Sequence, residues 1–202
     1  MALKTANNQS MTAITALPSG VSAKSMILLA TETASSSATI SFTSNIDDTY
    51  KEYIFRFYDV HPSADANFTF QVDTGTNTSY NQTMTSTFFW ADHMENDTDV
   101  ELTYKTDQDQ AQGTSFQNIG TTMESGDADS SGAGFIHLYD PSSTTFVKHF
   151  ISQVQMRSSG TPTSRNQFIA GYFNTTTAIT RLQFKMSSGN IDAGTFKLYG
   201  VS

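Results

Sequence analysis

The chain has no cysteine among its 202 residues, which excludes a disulfide-stapled fold, thiolate metal sites and a thiol nucleophile. Charge is sparse at 15% of residues, and basic charge is the scarcer kind: 11 Lys and Arg stand against 19 Asp and Glu, a net charge of −8. That balance excludes the basic footprint on which sequence-independent nucleic-acid binding depends. Long apolar runs are missing as well. The longest is Met26-Ile27-Leu28-Leu29-Ala30, too short for the core of a secretion signal and far too short to span a bilayer. Neither membrane insertion nor export by a leader is expected. No Gly-rich phosphate loop and no G-x-S-x-G elbow occur, so neither nucleotide chemistry nor that hydrolase architecture finds support.

Small hydroxyl side chains fill much of the remainder, with 25 Ser and 30 Thr. They are poor helix formers and suit strand surfaces and turns. At 37% apolar and 12% aromatic residues, the chain can bury a core and fold on its own rather than stay disordered. Residues 1–24 read apart from the rest. They are small and polar, broken by Pro18 and Gly20, with Met11, Ile14 and Leu17 spaced three apart. This segment is expected to be an N-terminal arm that docks on something else, a floppy tail being the alternative. Residues 25–202 are expected to form a single domain.

From Met26 onward apolar residues recur with period two, the mark of half-buried strands. Tyr53, Phe55 and Phe57 share a face, as do Phe68, Phe70 and Val72, then Val100, Leu102 and Tyr104. Ile136 with Leu138, Phe146 with Phe150, and Phe168 with Ala170 and Tyr172 continue the rhythm, followed by Leu182, Phe184 and Met186, and by Phe196 with Leu198. Turn signals separate these runs, among them Asn45 to Asp48, Asp73-Thr74-Gly75, Asp140-Pro141 and Ser188-Gly189-Asn190. Asp107 to Gly113 reads as one short helix or a loop. The pattern predicts an all-β fold, a jelly-roll-like β-sandwich of about eight to ten antiparallel strands.

Candidate chemistry is thin. Asp92, Glu95, Asp97, Asp99, Glu101, Asp107, Asp109, Glu124, Asp127 and Asp129 crowd one region with Lys105 as its single cation. Solvated loops explain this before cation binding does. Asp127-Ala-Asp129-Ser-Ser131-Gly132 imitates the opening of a calcium loop, but Leu138 stands where the closing Glu belongs, so a Gly/Ser-rich surface loop is the better account. His61, His93, His137 and His149 are scattered singly, and the pair His93-x-Glu95 lacks the cysteines of a zinc deaminase. Asp92 with Glu95 is the pair a glycosidase reading would need, which makes a polysaccharide-degrading enzyme the remote alternative. Phe88-Phe89-Trp90 reads first as a central strand buried on both faces, and second as a subunit interface or sugar-stacking platform. No catalytic, cofactor-binding or metal-binding residue is assigned, and no cofactor is expected.

Several runs taken together carry a resemblance: LATETASSSATISFTS from Leu29 to Ser44, IDDTYKEYIFRFYDVHPSAD from Ile46 to Asp65, then NFTFQVD, FFWADHMEND, DQDQAQGTSFQNIG, HLYDPSSTTFVKHF, RLQFKMSSGN and AGTFKLYGVS. The chain resembles a family of structural proteins of marine tailed phages, of the kind that infect cyanobacteria and other ocean bacteria. The likeness runs from about Met26 to Val201 and is most specific in TYKEYIFRFYDVHP, PSSTTFVKHF and GTFKLYGV. It implies a place on the virion surface, as a capsid decoration or a part of tail fibres, and brings no catalytic residues with it.

The expected function is therefore that of a non-enzymatic virion structural protein, a capsid surface decoration anchored by its N-terminal arm and assembled in the host cytoplasm. Its expected partners are the major capsid protein or a tail component, and further copies of itself, a trimer by analogy with other virion jelly rolls. The alternative is a tail-fibre or other receptor-binding module that recognises host-surface glycan through loops such as Thr74 to Gln82 or Ser158 to Arg165.

Overall fold

The computed structural model describes residues 26–160 and 162–202, so the expected arm, residues 1–24, lies outside the described residues. Twelve strands follow one another: β1 (Met26–Ser37), β2 (Ile40–Phe42), β3 (Glu52–Pro62), β4 (Ala66–Thr74), β5 (Met84–Met94), β6 (Val100–Tyr104), β7 (Gln117–Met123), β8 (Gly132–Tyr139), β9 (Lys148–Ser158), β10 (Thr163–Phe173), β11 (Ile179–Met186) and β12 (Ile191–Val201). No helix occurs among the described residues, and Asp107 to Gly113 is a loop. The turns fall where the sequence signals them, with Asn45, Gly75, Asp140 and Gly189 all at positive φ, a conformation that Gly and short polar side chains tolerate best.

Every pairing is antiparallel. One ladder runs β1-β12-β3-β8-β9-β10-β5-β6, and a smaller one runs β7-β4-β11-β2. They are joined where Met123 of β7 pairs with Ser158 of β9. The small ladder lies over the inner face of the large one, as ring contacts between the two prove: Phe57 meets Phe68 at 5.1 Å, Phe70 meets Phe150 at 5.2 Å, and Phe184 meets Phe196 at 5.2 Å. The all-β antiparallel sandwich expected from the sequence is thus present. Its strands number twelve rather than eight to ten, and divide eight and four rather than the four and four of a strict jelly roll. The uncounted strands give little signal: β2 has three residues, and β7 reads Gln-Asn-Ile-Gly-Thr-Thr-Met without an apolar alternation.

Inner positions of the large ladder are apolar and small where the layers come closest. Gly134 is an example. A Cβ there would stand 2.3 Å from the Gln153 carbonyl oxygen and 3.0 Å from the Phe57 ring, so any side chain would part β8 from β9 or displace the core. Strand β10 corrects one expected face. Gln167, Ile169 and Phe173 are buried, and Phe168, Ala170 and Tyr172 lie on the outer face, because Phe173 is claimed by Phe70 and Phe150 inside. Phe146 likewise sits before β9 in an exposed loop, not within the strand.

The small ladder is covered on its far face too. Gln71 donates to the carbonyls of Gln82, Thr114 and Ser115, and the Asp73 carboxylate accepts from the Thr74 and Tyr80 amides and the Gln82 side chain. Two buried side chains of β4 therefore pin the segments 74–83 and 112–116 across the sheet. Buried polar groups need such partners, and the loop that follows β4 is held down rather than free.

Candidate binding surface

The outer face of the large ladder is left open over its central strands, and the register places one row of side chains straight across it. Lys197 on β12 pairs with Arg56 on β3, Arg56 with Phe135 on β8, Phe135 with Gln153 on β9, Gln153 with Phe168 on β10, Phe168 with Phe89 on β5, and Phe89 with Tyr104 on β6. At the usual spacing between strands, such a row spans roughly 25–30 Å. Phe89 and Phe168 stack at 5.0 Å and 13°. A neighbouring row carries Ala133, Gln155, Asn166, Ala91 and Leu102 in the same way.

Where the second row begins, the small side chain of Ala133 leaves a dip between longer neighbours. The hollow has a volume of about 450 Å³ and is lined by Arg56, Tyr58, Phe135, Gln153 and Gln155. A second hollow of about 360 Å³ shares Ala133 and Gln155 with it and extends to Glu95, Arg157 and Ser164. The amides are oriented: Gln153 donates to Asn166 at 3.1 Å and Gln155 to the Ser164 hydroxyl at 2.9 Å. Tyr58 is exposed at the rim with the Lys197 ammonium 5.9 Å from its ring centre. A bulge in β3, where Asp59 takes positive φ, carries Tyr58 to that position. Planar amides, a guanidinium and aromatic rings around a shallow trough form a surface suited to hydrogen bonding and stacking with a polar ligand.

The acids singled out in the sequence are scattered over different structures. Asp92 points inward at the end of the core, where Arg165 donates to both of its oxygens at 2.7–3.1 Å. Arg165 also lies 3.8 Å from the Trp90 ring centre, with Lys105 at 4.1 Å, and Trp90 donates its indole N–H to Glu101 at 3.1 Å. That bond holds the Glu101 carboxyl below its ordinary pKa, helped by Thr103 and the charges of Lys105 and Arg165. The Thr122 hydroxyl accepts from the Arg165 guanidinium at 3.0 Å, and does so at a φ of 55°, a strained conformation for a β-branched residue. Glu95, by contrast, stands on the β5–β6 turn, 3.5 Å from Arg157. The guanidinium of Arg157 also meets Glu124 and Asp127. Asp92 and Glu95 thus serve two separate arginines.

The segment from Asp127 to Gly132 forms a turn closed by the Ser130 amide on the Asp127 carbonyl. Among the described residues, no three His, Asp or Glu side chains are placed to hold a metal ion. The histidines stay apart: His61 is near the Asp127 carbonyl, His93 near Asp97, His137 against Glu52, and His149 beside the Tyr172 ring. Phe88-Phe89-Trp90 is not buried on both faces. Phe88 and Trp90 point inward while Phe89 is 39% exposed. Of the two loops considered for ligand contact, Thr74 to Gln82 is pinned over β4, and Ser158 to Arg165 contributes Thr163 and Ser164 to the smaller hollow.

Two features had no signal in the sequence. The outer row depends on strand register alone. Lys148 is fully buried, its ammonium donating to the Thr175 carbonyl at 3.0 Å; burial pushes its pKa down, partly opposed by Asp140. Comparisons of the chain with protein-family models, curated proteins and solved structures find no match.

Proposed function

We propose that this chain is a non-enzymatic structural protein of a virion, a capsid-surface decoration of a marine tailed phage held to the shell by residues 1–24. The sequence resemblance supplies the class. The observation that carries the reading is where the described domain begins: Met26 opens β1, an edge strand paired with β12 through Met26 and Val201, so the chain enters the sandwich at a rim. A tether at a rim can grip a shell while the ladder stands clear of it. Deleting residues 1–24 is expected to leave the melting temperature of the domain nearly unchanged and to remove the protein from purified particles, scored by cryo-electron microscopy and by mass spectrometry of the virions. Incorporation at the wild-type level overturns the proposal.

The hollow beside Ala133 favours a second reading, recognition of host-surface glycan. Its lining of Tyr58, Phe135, Gln153, Gln155 and Arg56 offers ring faces and amides that match sugar hydroxyls and C–H faces. Calorimetric titration with host polysaccharide is expected to show saturable binding that Tyr58→Ala and Gln155→Ala each weaken by about tenfold, or 1.4 kcal/mol. Binding that neither change affects places any glycan site elsewhere.

A further inference from the structure

Strand β6 ends the large ladder, and its only neighbour among the described strands is β5. The Lys105 amide donates to the Phe88 carbonyl at 2.9 Å and the Met94 amide to the Asp99 carbonyl at 3.1 Å. These bonds fix the alternation along the strand. Residues 99, 101, 103 and 105 turn their backbone groups toward β5, and Val100, Leu102 and Tyr104 turn theirs outward. The side chains of those same three residues are 68%, 75% and 50% exposed, although they alternate as a buried strand face would. Phe89 and Ala91 extend the apolar strip inward along the outer face. An edge of this kind, with open backbone groups and an apolar strip together, is what folded proteins ordinarily cover or charge.

We infer that β6 is a self-association edge, pairing antiparallel with β6 of a second copy about a two-fold axis at Leu102. The sequence of the strand selects this occupant. In Asp99-Val-Glu-Leu-Thr-Tyr-Lys105, antiparallel pairing about the centre sets Leu102 against Leu102 of the second copy and Val100 against its Tyr104. The flanking Asp99 then faces the second copy's Lys105, and the reverse, so both ends of the pair carry opposite charges. Val100, Leu102 and Tyr104 all lie in hydrogen-bonded positions, where the pairing completes about six backbone bonds. Any other strand would have to match this apolar centre and these charged ends by coincidence.

Magnitudes decide the character of the dimer. The exposed parts of Val100, Leu102, Tyr104 and Phe89 amount to roughly 400 Å², the size at which an apolar patch marks a contact site. Two copies bury about twice that, short of the ~1,200–2,000 Å² of a standard stable interface. The dimer is therefore of the small, reversible class rather than a permanent one.

Sedimentation velocity of the full chain over a wide concentration range tests this. A monomer–dimer equilibrium is expected. Leu102→Lys, which sets two like charges together on the axis, weakens it by tenfold or more with the melting temperature unchanged. Asp99→Lys and Lys105→Asp each dissociate the homodimer, and mixing the two variants restores a heterodimer because each like-charge pair becomes an opposite-charge pair. A monomer at every concentration overturns the inference. So does a dimer or trimer that Leu102→Lys leaves intact, or a mixture of the charge variants that stays monomeric.

Discussion

Replacing Phe184 by alanine should destabilise the domain by about 3–5 kcal/mol, the range for truncating a buried phenylalanine in a close-packed core. Phe184 is fully buried on the small ladder. Its ring stacks on Phe68 at 5.4 Å and meets Phe55, Phe57 and Phe196 at 6.2, 5.7 and 5.2 Å. Phe55, Phe57 and Phe196 belong to the opposite layer, so the cavity would open at the junction of the two sheets. Strand ladders on each side hold their own spacing and cannot collapse into it. Urea unfolding followed by tryptophan fluorescence measures the loss directly. Phe146→Ala serves as the control, since Phe146 is 70% exposed, and a surface change of that kind is expected to stay within about 0.5 kcal/mol. A Phe184→Ala variant within about 1 kcal/mol of the parent would mean that the two layers are not packed through this ring.

A loss of similar size is expected from Asp92→Ala, by a different mechanism. The side chains of Arg165 and Asp92 are only 13% and 11% exposed, and the guanidinium loses the carboxylate it is bonded to when Asp92 is truncated. It keeps the hydroxyls of Thr121 and Thr122 at 3.3 and 3.0 Å and the face of Trp90, none of which neutralises a buried cation. Breaking such a pair costs about 3–5 kcal/mol, whereas replacing both partners with apolar side chains of similar volume is close to neutral. The double variant Asp92→Leu with Arg165→Met should therefore recover most of the stability lost by Asp92→Ala. Equilibrium unfolding of the single and double variants separates the two effects. If Asp92→Ala costs under about 1 kcal/mol, the pair is solvated and does not close this end of the core.

Much of the architecture was legible because apolar alternation and turn chemistry are local. Phe55 and Phe57, Phe68 and Phe70, and Phe184 point inward as their spacing implies, and the positive-φ residues Asn45, Gly75 and Gly189 mark the turns. The errors lie where alternation was real but its phase depended on a neighbour. In β10 the run Phe168-Ile169-Ala170 supports either face, and the choice fell to Phe173, which fits against Phe70 and Phe150. In β6, Val100, Leu102 and Tyr104 alternate like a core strand yet pair with His93, Ala91 and Phe89 on the outer face, away from the small ladder, which covers only the inner one. The acids show the same limit. Asp92 and Glu95 are three residues apart in sequence, but one turns into the core toward Arg165 and the other stands on a turn beside Arg157.

By itself the sequence determined the class of the protein: no disulfides, an acidic surface, antiparallel strands joined by polar turns, and an aromatic core. Those follow from composition and from the period of two, which each strand expresses without reference to any other. Only the tertiary structure decided which strands became neighbours. Register then set Arg56, Phe135, Gln153, Phe168, Phe89 and Tyr104 in one row, drawn from six strands in three separate stretches of the chain, β3, β5–β6 and β8–β10. It also left β6 without a second neighbour among the described strands. The physical reason is that cross-strand contacts depend on pairing, and pairing is chosen by the free energy of the whole sandwich, to which any one strand contributes a small part.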